Sequence, residues 1–235
     1  MEAISLIAWD CAFFGKKIAR LEIETALPDA EAIESYCRTQ HIELLQACVD
    51  TGDSATIFAL ETRGFHFVDL RLDMAARVSG SPRKDAHIQR SAESDIPALL
   101  SVSHHSFFEV SRYNWLGFFA PAQIDAFYDT WLENGVRGTH DDCCFHYVLD
   151  GKIAGFTTVK LHDNEASIGL IAVDAKLRGN GIGDALVENV FAYAKERGLA
   201  TVSSVTQGRN RPAQTLYGRH GMQVRSTQSW YYKKI

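Results

Sequence analysis

Between Cys143 and Val173 apolar residues alternate with polar ones or form short unbroken runs, CCFHYVLDGKIAGFTTVKLHDNEASIGLIAV, and Asp150-Gly151 divides the first two runs. Alternation with period 2 around an Asp-Gly pair predicts a tight hairpin, and the segment as a whole predicts three antiparallel strands. After Val173 the period changes to 3.6. Ile182, Leu186, Val190 and Ala194 share one helical face, and Gly198 follows as a C-cap residue. A short strand, ATVSSVT, then precedes a helix from about Asn210 to His220, and the terminal MQVRSTQSWYYKKI predicts a hairpin. Upstream, DIPALLSVSHHSF has helical spacing, and a further helix is predicted from Ala122 to about Asn134. Strands, glycine turn, helix, strand, helix, strand describe an α/β or layered α+β fold with helices packed on a sheet.

The break with most linker character is RVSGSPRKD, residues 77–85, where Gly, Pro and Ser separate apolar blocks. It predicts a small N-terminal domain, 1–80, and a larger domain, 86–235. The first part carries a weakened echo of the second: DTGDSATIFALETRGFHFV aligns without gaps on QGRNRPAQTLYGRHGMQV when Gly64 is laid over Gly221. That alignment puts Asp53 on Asn210 and Leu60 on Tyr217. Two readings stand. Either the first part is a degenerate half-copy that has lost the tyrosine, or both are unrelated helix-then-strand units, which are common.

Composition narrows the partners. With 24 basic and 29 acidic residues the formal charge is -5, and no Lys/Arg stripe marks a nucleic-acid binder. The five cysteines, Cys11, Cys37, Cys48, Cys143 and Cys144, form no CxxC or Cys/His spacing, which predicts free thiols in a reducing compartment and no metal. The start, MEAISLIAWDC, lacks the basic residues of a signal peptide, and no stretch reaches the length of a membrane span. A cytoplasmic protein that avoids membranes is expected.

The candidate chemistry lies in LRGNGIGDAL, with glycines at 179, 181 and 183 behind Arg178. A turn stripped of side chains lets main-chain N–H groups converge, and a helix starting there adds the positive end of its dipole, so the turn predicts an anion site. A P-loop needs Lys-Ser or Lys-Thr after its last glycine, and a dinucleotide fingerprint needs G-x-G-x-x-G; neither spacing is present.

The string IAVDAKLRGNGIGDALVENVFAYAKERG resembles the signature of the GNAT superfamily of acyl-CoA-dependent N-acyltransferases, and NRPAQTLY (210–217) resembles its second half. The resemblance covers roughly residues 86–235. It implies acetyl-CoA as cosubstrate, with Arg178, Gly179, Asn180, Gly181, Ile182 and Gly183 around the diphosphate and the backbone of Ile171, Ala172 and Val173 pairing with pantetheine. It also implies that Asn210 contacts the cofactor and that Tyr217 protonates the departing thiolate. A phenol near 10 and a thiol near 8.5 make that transfer about 2 kcal/mol uphill.

A narrower resemblance, carried by WDCAFFGKKIARLEI, ETRGFHFVDLRLDM and SRYNWLGFFAPAQIDAFYDTWLENGVRGTHDDCCF, is to acetyltransferases of nucleotide-linked amino-deoxysugars of the dTDP-4-amino-4,6-dideoxygalactose type. It implies that Phe13, Phe14 and Gly15 line a cleft between the two parts and that Arg112, Tyr113 and Arg137 lie near an amino-sugar nucleotide. A lysine-like amine at about 10.4 costs roughly 4.6 kcal/mol to neutralise at pH 7, whereas a sugar amine near about 8 costs about 1.4. A weak base then suffices, and Asp10, Asp69, Asp73, His104 and His105 are contributors to weigh. Several alternatives stay open. The aromatic set Trp115, Phe118, Phe119, Phe127 and Trp131 reads more simply as core than as pocket. The acceptor could be a protein N-terminus, a lysine or a small metabolite amine, or the chain could bind acyl-CoA without catalysis. The terminal strands could pair edges in a homodimer, though no residue requires it.

Overall fold

In the computed structural model, which describes residues 3–23 and 27–235, the alternating run from Cys143 to Val173 forms the three antiparallel strands its period predicts. Asp150 and Gly151 both take positive φ, 50° and 73°, the conformation a two-residue hairpin of this twist requires. In chain order the elements are β1 (Ile4–Leu6), α1 (Ala8–Phe14), β2 (Ile18–Leu21), α2 (Ala30–Gln40), β3 (Leu44–Asp50), α3 (Ser54–Thr62) and β4 (His66–Arg77). Then follow β5 (Ile88–Arg90), α4 (Ile96–Ser103), α5 (Pro121–Arg137), β6 (Cys143–Leu149), β7 (Lys152–His162) and β8 (Glu165–Val173). The chain ends with α6 (Ile182–Glu196), β9 (Thr201–Gln207), α7 (Arg211–Arg219) and β10 (Gln223–Lys234). No helix among the described residues is long and apolar enough to cross a membrane.

Two compact units form. Met1–Leu72, Gln207–Arg209 and Ser226–Ile235 make the first, and Asp73–Thr206 with Asn210–Arg225 the second. In the second unit the strands run β4-β9-β8-β7-β6-β5. Residues Ala154 to Val159 of β7 are buried without interruption, which requires cover on both faces of the sheet. Ala154 packs against Ile182 and Leu186 of α6, while Phe156 meets Phe107 and Thr158 lies under Gly135 of α5. Of the aromatic set read as core, Phe119 and Phe127 are buried while Trp115, Phe118 and Trp131 are half-buried, and Tyr113 and Tyr128 are buried beside them.

In the first unit β1, β2, β3 and the last part of β10 lie side by side, with Ile33, Cys37, Leu45, Leu60, Phe65 and Tyr231 in one core cluster. All five cysteines are free thiols. The hairpin expected at the C-terminus is corrected by this unit. Residues Gln223–Lys234 form one unbroken strand, with Gln228 to Lys234 antiparallel to Asp50 to Leu44. The polar RSTQS looked like a turn because it interrupts the apolar pattern, yet it holds no Gly, Pro or Asn to bend the chain.

The echo between the two parts of the sequence is a structural repeat. With Gly64 laid over Gly221, β3 falls on β9, α3 on α7 and β4 on β10, each with identical length. Asp53 and Asn210 are the N-caps of α3 and α7, accepting from Thr56 N at 3.1 Å and from Ala213 N at 3.3 Å. Gly64 and Gly221 take φ of 77° and 75°, and Phe65 N and Met222 N each donate back across the cap at 3.1 Å. Upstream, β2–β3 and β8–β9 are both parallel pairs, and parallel neighbours need a crossover, here α2 and α6. The left-handed residues that end them, His41 as the cap of α2 and Gly198 just past the cap of α6, correspond as well, at φ 56° and 69°.

Candidate active site

β8 and β9 begin as a parallel pair and then part. Their ladder runs from Glu165–Thr201 to Ile168–Ser204, after which β8 continues to Val173 held by β7 alone. A bulge sits at the point of divergence. Thr158 of β7 faces both Gly169 and Leu170 of β8, and its Oγ1 accepts from Leu170 N at 2.8 Å. Gly169 has no room for a side chain, since a Cβ there would stand 2.5 Å from Asp141 Oδ2 and 2.8 Å from Thr158 Oγ1. Gly169→Ala is therefore expected to destabilise the protein by about 1–3 kcal/mol, a fall in Tm of roughly 2–4 °C per kcal/mol, measurable by calorimetry. An unchanged Tm would show that the bulge is not sterically fixed.

Beyond Ile168 the gap between the strands opens into a cleft of 640 Å³, whose wall includes Ile171, Ala172 and Val173 of β8 and the glycine turn. The three glycines serve different ends. Gly179 and Gly181 take φ of 83° and 79°, where an L side chain costs roughly 1–2 kcal/mol. Gly183 lies within α6, and a Cβ there would sit 3.3 Å from Leu216, so its smallness sets how closely α7 approaches. Gly181 caps α6 without any side-chain hydrogen bond. The first-turn amides of a 15-residue helix thus open into the cleft with no side-chain acceptor, as an anion site requires. Arg178 is exposed at the rim, its Nε donating to Val173 O at 3.2 Å. Asn180 lies outside the wall and donates Nδ2 to Leu177 O at 3.1 Å, bracing the turn.

The opposite wall is α7. Asn210, at its N-cap, lines the cleft, as do Pro212, Ala213 and Leu216. Tyr217 stands behind them, only 3% exposed, with its hydroxyl hydrogen-bonded to that of Ser204. Ser204 is the last β9 residue paired with β8 and donates to Ile168 O at 3.2 Å. The phenol therefore sits at the root of the divergence. Burial pushes its pKa up to about 12 against a weaker pull from Ser204. Asp184, in the first turn of α6, would be raised by burial, but Arg219, with two contacts of 2.9 Å, and His220 outweigh it and hold the carboxyl below its usual range. That cluster ties the start of α6 to the end of α7 and pairs the Asp184 carboxylate in the cleft wall with Arg219 and His220.

Comparisons with known proteins identify the family. Residues 107–222 match the acetyltransferase (GNAT) family. Over the whole chain, dTDP-fucosamine acetyltransferase of Escherichia coli O6:H1 is 31% identical across 235 residues, 98% of this chain and 98% of its own. The chain belongs to the GNAT family. It is an N-acetyltransferase, and its family uses acetyl-CoA. The putative [ribosomal protein bS18]-alanine N-acetyltransferase of Bacillus subtilis is 30% identical over 118 residues, 49% of this chain and 73% of that protein. Among solved structures, a GCN5-related N-acetyltransferase from Sphaerobacter thermophilus superposes with a TM-score of 0.71 over 98% of this chain and 76% of that one; at 16% identity this is a likeness of fold.

The remaining candidates are scattered over this GNAT chain. Arg112 and Tyr113 lie in the second unit between α4 and α5. The Arg112 guanidinium lies over the Tyr113 ring at 4.2 Å and donates to its hydroxyl at 2.7 Å. Arg137, at the end of α5, pairs with Glu133 at 2.8 Å and Glu93 at 3.5 Å and does not line the cleft. Phe13, Phe14 and Gly15 close α1 in the first unit, with the two rings edge to face at 5.0 Å and Gly15 as the left-handed cap. Of the acidic groups weighed as bases, Asp69 is paired with Arg209 within the first unit, and Asp73 shares Arg225 with Glu165 in the second. His104 and His105 line a separate cavity. Sequence reasoning did not anticipate Ser106, Phe107 and Val110 in the cleft wall, because they come from an irregular connection whose position only the packing of α4 and α5 decides.

Proposed function

We propose that this GNAT enzyme acetylates the amine of a nucleotide-linked amino-deoxysugar of the dTDP-4-amino-4,6-dideoxygalactose type, with acetyl-CoA as donor. The observation that carries the reading is the extent of the likeness to dTDP-fucosamine acetyltransferase, which includes the first unit, whereas the likeness to the bS18-alanine enzyme covers 49% of the chain. Acceptor choice needs elements beyond those that hold the common donor, and the first unit is such an element. The amides that begin α6, with Arg178, receive the diphosphate, and the β8 edge at Ile171 to Val173, which β9 has left, offers its main chain to the pantetheine amides. Asn210 faces the same cleft from α7. Arg112 offers a guanidinium suited to a diphosphate, and the buried Tyr113 ring beneath it, whose hydroxyl accepts from Arg112, holds it in place.

In the reaction a neutral amine attacks the thioester carbonyl carbon, the C–S bond breaks, and the sulfur leaves as a thiolate. Tyr217 supplies the proton that makes it a thiol. The amine loses its own proton to water or a weak base, which the lowered basicity of a sugar amine permits. The test is release of CoA thiol when purified protein receives acetyl-CoA with dTDP-4-amino-4,6-dideoxygalactose, set beside its gluco epimer and a peptide bearing an N-terminal alanine. Turnover with a sugar nucleotide and none with the peptide is expected. The opposite pattern would transfer the protein to the runner-up class.

A further inference from the structure

The connection after α4 carries a constellation with no part in the cleft just described. We propose that His104, His105 and Asp125 form a binding site for a divalent first-row transition metal, Zn²⁺ being the ion that fits the donor set best. Adjacent residues in an extended chain point apart, but His105 adopts φ 62°, and the two imidazoles converge to 4.0 Å between ring centroids. One ligand atom from each of His104, His105 and Asp125 lies within 4.8 Å of the other two. A tetrahedral ion with bonds of about 2.0–2.2 Å brings such atoms to roughly 3.5 Å. The histidine side chains, 53% and 74% exposed, have room to rotate over that distance.

The carboxylates around the rings carry the argument further. His105 Nδ1 is 2.6 Å from Asp125 Oδ2, and His104 Nδ1 is 3.1 Å from Asp129 Oδ2. Carboxylates against imidazole nitrogens are what orient histidines toward a metal. Asp125 is 4% exposed, and Asp129 Oδ1 is buried without a hydrogen-bond partner, an acceptor in need of a donor or a cation. Glu109 lines the same cavity of 500 Å³. Glu109, Asp125 and Asp129 thus place carboxylate oxygens beside the two imidazoles, a mixed nitrogen and oxygen donor set. Two imidazoles with carboxylate oxygen suit zinc and its neighbours, while calcium and magnesium prefer oxygen alone. A bound ion would pin the chain leading into Ser106 and Phe107 against α5. The proposal runs against the expectation of no metal drawn from cysteine spacing, which did not weigh a histidine pair with a distant aspartate.

The test uses the full chain without a polyhistidine tag, stripped with chelator, and titrated with Zn²⁺ by calorimetry and with Co²⁺ by visible absorption. One ion per chain is expected, with cobalt bands of low-coordinate geometry and no displacement by excess Mg²⁺. His104→Gln and His105→Gln, both exposed, should keep the wild-type Tm and weaken Zn²⁺ binding about 100-fold each; Asp129→Asn, which alters only a carboxylate behind a ligand, should weaken it about 10-fold. No heat with Zn²⁺, or binding unchanged in the two histidine variants, overturns the proposal. Neither result bears on acetyl transfer, which is read separately.

Discussion

Tyr217→Phe is expected to lower kcat about 10²-fold or more while leaving the dissociation constant of acetyl-CoA nearly unchanged. Phenylalanine keeps the ring that fills the buried site between α7 and β9, so the fold should survive, and Ser204 retains its bond to Ile168 O. Only the proton is lost. With its pKa pushed up to about 12, the phenol stays protonated across the working range, as a donor must. The same shift widens the gap to a free thiol near 8.5 to about 5 kcal/mol, against the 2 or so that an exposed tyrosine would face. A thiolate formed at the root of the same divergence shares the desolvation that raises the phenol, and its own pKa rises with it, closing the gap. Stopped-flow and steady-state assays would separate chemistry from binding; unchanged turnover would remove Tyr217 from the mechanism. The shift also has a thermodynamic side. Burial disfavours the phenolate, so the folded pKa of about 12 lies above the ordinary phenol value near 10, and the group's contribution to stability is complete below 10 and lost as pH rises from 10 toward 12.

Gly181→Val is expected to weaken CoA binding about 10²-fold, a loss near 2.7 kcal/mol, with a much smaller effect on Tm. At φ 79° a β-branched residue exceeds the roughly 1–2 kcal/mol that an ordinary L residue incurs in the left-handed region. The turn relieves that strain by rotating, which swings the first amides of α6 away from the position proposed for the diphosphate. Because α6 is anchored further along by buried Leu186, Val187 and Val190, the disturbance stays local. Titration calorimetry with CoA reads it directly. Wild-type affinity in this variant would mean that the amides are not the anchor.

Much of this site was legible in one dimension. The alternation of Cys143 to Val173, the Asp-Gly turn, the shift to period 3.6 and the alternating glycines each depend on short-range geometry, which neighbouring residues specify by themselves. So did the repeat, since N-cap, helix length and left-handed glycine are all local. The continuity of β10 was not legible, because a polar stretch such as RSTQS is strand or turn according to whether β3 offers it hydrogen bonds. Arg137 was a candidate only through the resemblance, and its ion pairs to Glu93 and Glu133 appear only once α5 is placed.

By itself, then, the chain determined the helices and strands between Cys143 and His220 and the turn that can hold an anion, because these follow from spacing within a few residues, and its glycine turn and NRPAQTLY carried the resemblance to the family. The tertiary structure alone decided where β8 leaves β9, that Tyr217 is buried against Ser204 at that point, that residues 226–235 return to the first unit, and that two exposed histidines meet Asp125. Each of these depends on contacts between residues far apart in sequence, whose desolvation and mutual distance no local pattern encodes.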